Sequence, residues 1–377
     1  MKDISLYVHI PFCKLKCFYC DFPSYARIDH LREDYVKALC KEIKEKNIKH
    51  NIKSIFIGGG TPSYLESKDL KILLETLNTL NLDENIEFTI ECNPGTVDRE
   101  KLIVMKEGGI NRISMGLQAV QNSLLKEIGR IHSYKNFEDN FKLAREVGFD
   151  NINVDLMFGL PNQSVEEWKE SLELVTSLGV DHISAYSLIV EEGTPFYKMW
   201  ERDKLMLPSE NDERDMYKIT KEILTGLGYN QYEISNYSKD GKDCFHNKVY
   251  WKLDEYIGVG SASSSYYEGK RIKHIEDVAK YIEKINNNES VVQEIIENSE
   301  EDNMEEFMFM GLRLMEGIKI EEFNRRFSSN LLHVYKEVVQ NNIKKGLLVN
   351  EDGYIRLTEK GVELSNSVMS DFIILDK

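Results

Sequence analysis

The sequence predicts an α/β protein, a partial (β/α)6 TIM-like barrel followed by a C-terminal winged-helix-like α/β unit. Three observations predict it. Short β-like apolar runs alternate with amphipathic stretches through the first two thirds of the 377 residues, the pattern of a parallel sheet covered by helices. Six such units are present, too few for the usual eight-stranded closure. Beyond about residue 265 the alternation stops, and the chain ends in helices around a turn-bearing hairpin. The organisation expected is a barrel with its extension over 1–265, a connecting segment over 266–302 and a terminal domain over 303–377.

The elements follow in order. Candidate strands are 4–10 (ISLYVHI), 54–58 (SIFIG), 86–91 (IEFTIE), 111–117 (NRISMGL), 151–159 (NINVDLMFG) and 182–189 (HISAYSLI). Helical stretches between them cover 31–46, 67–80, 136–148 and 164–179, the last opened by the capping residue Ser164 and closed by Gly179. The segment 266–302 contains KINNNES and ENSEED, whose polarity reads as a linker or exposed helical connection. The end of the chain reads as one helix over 330–346 closed by Gly346, a hairpin turning at Glu351-Asp352-Gly353 and a last helix capped by Thr358. Basic and acidic residues are mixed there, which favours a lid or a partner surface over a DNA contact.

The formal charge of −16, spread along the chain, argues against binding to a phosphate backbone, so nucleic acid is not an expected partner. No apolar run reaches the length of a membrane span. The stretch ISLYVHIPF is too short for a signal peptide and runs into cysteines, so a cytoplasmic location is expected. Three of the six cysteines, Cys13, Cys17 and Cys20, fall within eight residues. In a reducing compartment such spacing points to metal ligands. Pro11 and the β-like YVHI run oppose a helix through the cysteines, and Lys14 and Lys16 are not core residues. Cys40, Cys92 and Cys244 stand alone as ordinary thiols, so no second cysteine pair completes a structural zinc site. Three thiolates on a cubic iron–sulfur cluster leave one iron open for chemistry, with Phe18 and Tyr19 placed to shield it from water.

Polar residues recur where the strands end. GGGTP spans 58–62, Glu91 ends a strand in ECNPG, Gln118 another in SMGLQ, and Asp155 lies in VDLMFGLP. TIM-like barrels carry function at those ends.

The Cys-x3-Cys-x2-Cys spacing followed by GGGTP on a βα scaffold resembles the radical S-adenosylmethionine (SAM) superfamily. YVHIPFC, GGGTPSYL, NRISMGLQ and VDLMFGLP resemble, more narrowly, the oxygen-independent coproporphyrinogen III oxidase family, over nearly the whole chain. The resemblance implies a [4Fe-4S] cluster on Cys13, Cys17 and Cys20, with SAM chelating the open iron. It implies that Tyr7 packs near SAM, that Gly59, Gly60 and Thr61 take its methionyl end, and that Glu91 hydrogen-bonds its ribose. Gln118, Arg130 and Asp155 match further SAM-contacting positions, and Tyr19 stands beside the cluster. Cleavage of SAM would draw an electron from a donor such as a flavodoxin or ferredoxin.

Within the family, decarboxylating members carry a further cysteine two residues after the third ligand and a long N-terminal extension. Phe22 stands at that place here, and this sequence begins at its first strand, so coproporphyrinogen decarboxylation is not expected. HNKVYW (246–251) resembles the HNxxYW signature of a haem-chaperone subgroup. That resemblance implies a haem-binding chaperone that delivers haem to acceptor proteins, with transient contact to a membrane surface through those acceptors. His246 would then be the axial ligand, Phe245, Tyr250 and Trp251 would surround the ring, and Lys242, Lys248 and Lys252 would meet the propionates. Two alternatives stay open at this point: a radical SAM enzyme acting on a porphyrin, and one acting on tRNA.

Overall fold

A computed structural model describes residues 2–373. Its centre is six strands, β1 (Asp3–Ile10), β2 (Asn51–Gly59), β3 (Leu82–Cys92), β4 (Arg112–Gln118), β5 (Ile152–Phe158) and β6 (His182–Ser187), paired in chain order and all parallel. Each strand expected from the sequence is present. Alternation explains the layering. Leu6 and Val8 on β1, Ile55 and Ile57 on β2, Phe88 and Ile90 on β3, and Ile113 and Met115 on β4 point one way, and all belong to the main apolar core. The helices Arg32–Glu45, Ser67–Leu77, Arg99–Glu107, Tyr134–Val147 and Val165–Ser177 bury their apolar stripes against that face. Ser164 and Glu167 form a capping box at the last of these, and Gly179 beyond its end takes a left-handed φ of 74°.

The sheet does not stop at six strands. β7 (Asn230–Gln231) and β8 (Asn236–Ser238) add antiparallel strands beyond β6. On the other edge β9 (Tyr256–Val259) runs parallel to β1, and β10 (Ser264–Tyr267), β11 (Lys270–His274) and β12 (Val292–Glu297) continue from it, giving a 12-stranded open sheet. The expected connecting segment, 266–302, is therefore a correction: it holds β11, a helix over Val278–Asn286 and β12. Its polarity misled because β12 is exposed on all six residues. The helix before it nevertheless buries Val278, Tyr281 and Ile285, and Tyr281 donates to Glu42 at 2.5 Å.

The terminal unit has its own core and a three-stranded sheet of β13 (Ile318–Lys319), β14 (Leu348–Glu351) and β15 (Tyr354–Leu357). The hairpin turn holds Asp352 and Gly353 at φ 53° and 80°, the double left-handed conformation that matches strand twist. Thr358 caps the following helix through the Gly361 N–H. The single helix expected over 330–346 is two, Leu331–Val334 and Lys336–Lys344. Tyr335 breaks it, its ring buried edge-on against Phe323 and Phe372; packing of that ring overrides helix propensity.

A short helix, Phe245–Trp251, joins the two units. Its first N–H groups, from Phe245 and His246, donate to the Glu87 carboxylate of β3 at 2.7 and 2.9 Å. At its other end Arg326 of the terminal unit donates to the carbonyls of Lys252 and Leu253. Glu87→Ala strands two N–H donors, one of them on a fully buried residue, and should cost about 1–3 kcal/mol of stability, read from denaturant unfolding. A loss under about 0.5 kcal/mol would show that the carboxylate does not hold this helix.

Candidate functional site

The strand residues that face away from the helices line the inside of the partial barrel, and most are polar. Ser5 and Ser54 hydrogen-bond at 2.8 Å, Asn153 donates to Ser114 and Asp155 at 2.8 Å each, and His182 Nδ1 meets Asn153 Oδ1 at 2.6 Å. A TIM barrel packed for stability alone fills this space with branched aliphatic side chains. A polar lining is the mark of a lumen that holds a ligand.

The cysteines lie at the C-terminal end of β1, in a loop without helix from Pro11 to Ile28. All three are free and half-buried, whereas Cys40, Cys92 and Cys244 are buried. The Cys20 N–H donates to the Cys17 carbonyl at 3.3 Å, a turn that draws the last two together. Burial pushes the Cys13 and Cys20 thiols up, with Cys17 among the charged neighbours of each. Among the described residues no three His, Cys, Asp or Glu side chains close on a single-ion site. A cubane takes each thiolate on a different iron, and the donor set of three free thiols on one loop outside the helices fits it. Binding to a cationic iron centre would displace the protons of the thiols.

GGGTP packs directly against this loop. A Cβ on Gly60 would lie 2.8 Å from the Phe12 carbonyl oxygen and 3.1 Å from Cys13 Sγ, and one on Gly58 would lie 3.1 Å from the Glu91 carboxylate. Gly59 takes φ 110°. The N–H groups of Gly59, Gly60 and Thr61 are already given to Glu91, Ile10 and Phe12 at 3.2, 2.8 and 2.8 Å. What Gly59 and Gly60 can offer a ligand is carbonyl oxygen, the complement of an ammonium group, while the Thr61 carbonyl accepts from the Tyr64 N–H at 2.9 Å and leaves its hydroxyl toward Cys13.

Across the lumen, burial and the neighbouring Asp155 push Glu91 up to about 8, against the pull of the Gly59 N–H and of Arg130 and Arg112. Asp155 is raised too, chiefly by burial, although Asn153, Ser184 and Ser114 hydrogen-bond it. Tyr7, raised by burial and by Glu91, meets His9 Nδ1 at 3.0 Å. Gln118 sits at a break in the β4–β5 register with φ 74°, which turns its side chain toward Gly116. Arg130 donates to Tyr19 OH at 2.9 Å and to Asn93 Oδ1 at 2.8 Å. The structure thus brings Tyr19, Gly59, Gly60, Thr61, Glu91, Gln118 and Arg130 to the strand ends beside the cysteines, with Tyr7, against Phe56, and Asp155, on Ser114 and Asn153, deeper in the lumen.

His246 is placed elsewhere, and the axial-ligand expectation is corrected. It is wholly buried at the opposite end of the lumen, with Nδ1 on Ser54 Oγ at 2.8 Å, Nε2 on Tyr250 OH at 2.9 Å and its ring stacked on Phe56. Burial and Arg112 lower its pKa to about 3. Both nitrogens are engaged, so neither is free for a haem iron. The lysines expected at the propionates are also committed: Lys248 pairs with Asp243, Lys252 lies 3.2 Å from Glu316, and Lys242 donates to the Asp150 carbonyl.

Two functional candidates escaped the sequence reading. Asn93 follows Glu91 by two residues in ECNPG, and Arg112 precedes Gln118 by six in NRISMGLQ; strand alternation carries each to the same face as its neighbour. Arg112 is 2% exposed, and its Nε has no hydrogen-bond partner.

Two family models match the chain, the Radical SAM superfamily over residues 7–175 and the HemN C-terminal domain over 298–364. Among curated relatives, the heme chaperone HemW of Bacillus subtilis is 37% identical over 374 residues, covering 98% of this chain and 99% of that one. HemW of Escherichia coli is 32% identical over 391 residues, covering 99% of each. Among solved structures, coproporphyrinogen III oxidase (HemN) from Escherichia coli superposes with a TM-score of 0.86 over 98% of this chain and 90% of that one, at 22% identity; that likeness is one of fold.

The Glu91 shift has a thermal consequence. A carboxyl held near 8 when folded and near its ordinary value when unfolded stabilises the fold at low pH, and that contribution is lost as pH rises through about 8. The melting temperature of Glu91→Gln relative to wild type should therefore increase from pH 5 to pH 8.5. An unchanged difference over that range would show that Glu91 ionises normally.

Proposed function

We propose, from the premise that this chain belongs to the HemW family of radical SAM proteins, that Cys13, Cys17 and Cys20 hold a [4Fe-4S] cluster and that the adjoining strand ends bind SAM. The chain is a radical SAM haem chaperone. The observation that carries the reading of the site is the meeting of a three-cysteine loop with the polar strand ends of an otherwise buried lumen.

When bound, the cluster and SAM supply one-electron chemistry that no side chain provides. The chain's own residues do the rest. Gly59 and Gly60 present carbonyls and Thr61 its hydroxyl to the methionyl end, and Arg130, half-buried and cationic, faces its carboxylate. Glu91 accepts from the ribose, which a carboxyl oxygen does in either protonation state. Gln118 and Asp155 complete the adenosine side, Tyr7 packs beside it, and Tyr19 with Phe18 covers the cysteine loop. If SAM is cleaved, a small carrier of the flavodoxin or ferredoxin kind supplies the electron.

Haem is the cargo, handed to acceptor proteins; acceptors seated at a membrane would bring the chain there transiently. No helix among the described residues is long and apolar enough to cross a membrane, and we place the protein in the cytoplasm. His246 serves the fold in this reading, as the link between β2 and the helix that closes the lumen. Decarboxylation of coproporphyrinogen III is not part of the function, since Phe22 stands where the decarboxylating enzymes carry their further cysteine.

Anaerobic reconstitution tests the cluster: Cys13→Ala, Cys17→Ala or Cys20→Ala should each abolish the iron–sulfur absorption, and Cys92→Ala should keep it. A titration with haem, followed by absorbance, tests the cargo. Wild type should bind, and His246→Ala should melt at a lower temperature but keep the haem spectrum. Loss of haem binding in a His246→Ala protein of undiminished stability would restore that histidine as the ligand. Anaerobic incubation with coproporphyrinogen III, SAM and a reductant should give no protoporphyrinogen.

A further inference from the structure

We propose that Asn93 is the positioning residue that sets Arg130 and Thr61 for the methionyl group of SAM; the proposal rests on the reading of the site given above. Asn93 is the first residue after β3. Its own backbone is fixed on both sides, the N–H on Ser63 Oγ at 3.1 Å and the carbonyl on Thr96 Oγ1 at 2.6 Å. Its side chain bridges. Nδ2 donates to Thr61 Oγ1 at 2.8 Å, while Oδ1 accepts from Arg130 Nη1 at 2.8 Å.

The bridge extends at both ends into the cysteine loop. Thr61 Oγ1 lies 3.5 Å from Cys13 Sγ, and Arg130 Nη2 donates to the hydroxyl of Tyr19, which sits between Cys17 and Cys20. One hydrogen-bonded chain therefore runs from the first cysteine, through the GGGTP turn and the end of β3, back to the loop ahead of the third. β4 is shaped around it: a Cβ on Gly116 would lie 3.1 Å from Gln118 Nε2, 3.2 Å from Asn93 Oδ1 and 3.3 Å from Arg130 Nη2. The two bonds orient the guanidinium and leave Arg130 Nε buried with no protein partner, a donor open to a ligand acceptor or a water.

The residue type is dictated. The position needs a donor toward Thr61 and an acceptor toward Arg130 on one short planar group, which an amide has and a carboxylate lacks. Aspartate is the same size and would grip Arg130 more strongly, but it would spend the positive charge that a ligand carboxylate needs. Asn93 holds the arginine without neutralising it.

That difference separates positioning from plain packing. Wild type, Asn93→Ala and Asn93→Asp, each reconstituted anaerobically, are compared for iron content, for SAM affinity by calorimetry and for the electron paramagnetic resonance spectrum of the reduced cluster with and without SAM. All three should hold four irons. Affinity should fall about tenfold in Asn93→Ala, the equivalent of one charge-assisted hydrogen bond, and further in Asn93→Asp, with the SAM-induced spectral change weakened in the same order. A residue that merely filled space would rank the other way, because aspartate preserves the volume. Asn93→Asp binding SAM as tightly as wild type, or more tightly than Asn93→Ala, overturns the inference alone. Wild type with a full cluster and no affinity for SAM overturns the reading of the site and this inference with it.

Discussion

Charge inside a barrel has to be satisfied inside the barrel. Every inward position on β1 to β6 that carries a polar group adds a desolvation cost, and that cost must be met by neighbours on adjacent strands. Here it is met by a continuous set of cross-strand partners, Ser5 with Ser54, Ser114 with Asn153 and Asp155, His182 with Asn153 and Tyr232. The set is incomplete at the end next to the cysteines. Glu91, an acid of raised pKa, and Arg130 Nε, a nitrogen without a protein partner, remain there. The strand ends are where the fold leaves electrostatic work undone, and a zwitterionic, sulfonium-bearing ligand would complete it.

The same constraint explains why some glycines are where they are. Gly58, Gly60 and Gly116 are not primarily turn formers. At each one a Cβ would come within about 3 Å of a functional group, the Glu91 carboxylate, the Cys13 sulfur or the Arg130 guanidinium. Missing side chains make the space in which the polar groups meet. The short helix Phe245–Trp251 does the opposite at the far end, where it fills. Its histidine and tyrosine plug the lumen, Tyr250 meets Tyr256 edge-on, and Arg313 of the terminal unit lies over Trp251.

Much of this was legible in the sequence, because the period of the parallel sheet and the strand-end positions are both linear features. Strands 4–10 through 182–189 and the clustering of Glu91, Gln118 and Asp155 follow from alternation and chain order alone. Arg130 was readable by motif, although its partner Asn93 was not: a bridging amide has no spacing of its own and shows only when two side chains arrive from different elements. The HNKVYW segment misled for a related reason. A sequence records that an imidazole, a phenol and an indole are neighbours, but not that the imidazole faces Ser54 inside a barrel and the indole faces the terminal unit. Segment 266–302 misled through composition, since an exposed edge strand and a linker share the same residues.

The helix that carries Tyr250 also ties the two units together: its first N–H groups are held by Glu87 of the sheet and its last carbonyls by Arg326 of the terminal unit. Any movement of the terminal unit would therefore be felt at the floor of the barrel, because one short helix is gripped at both ends.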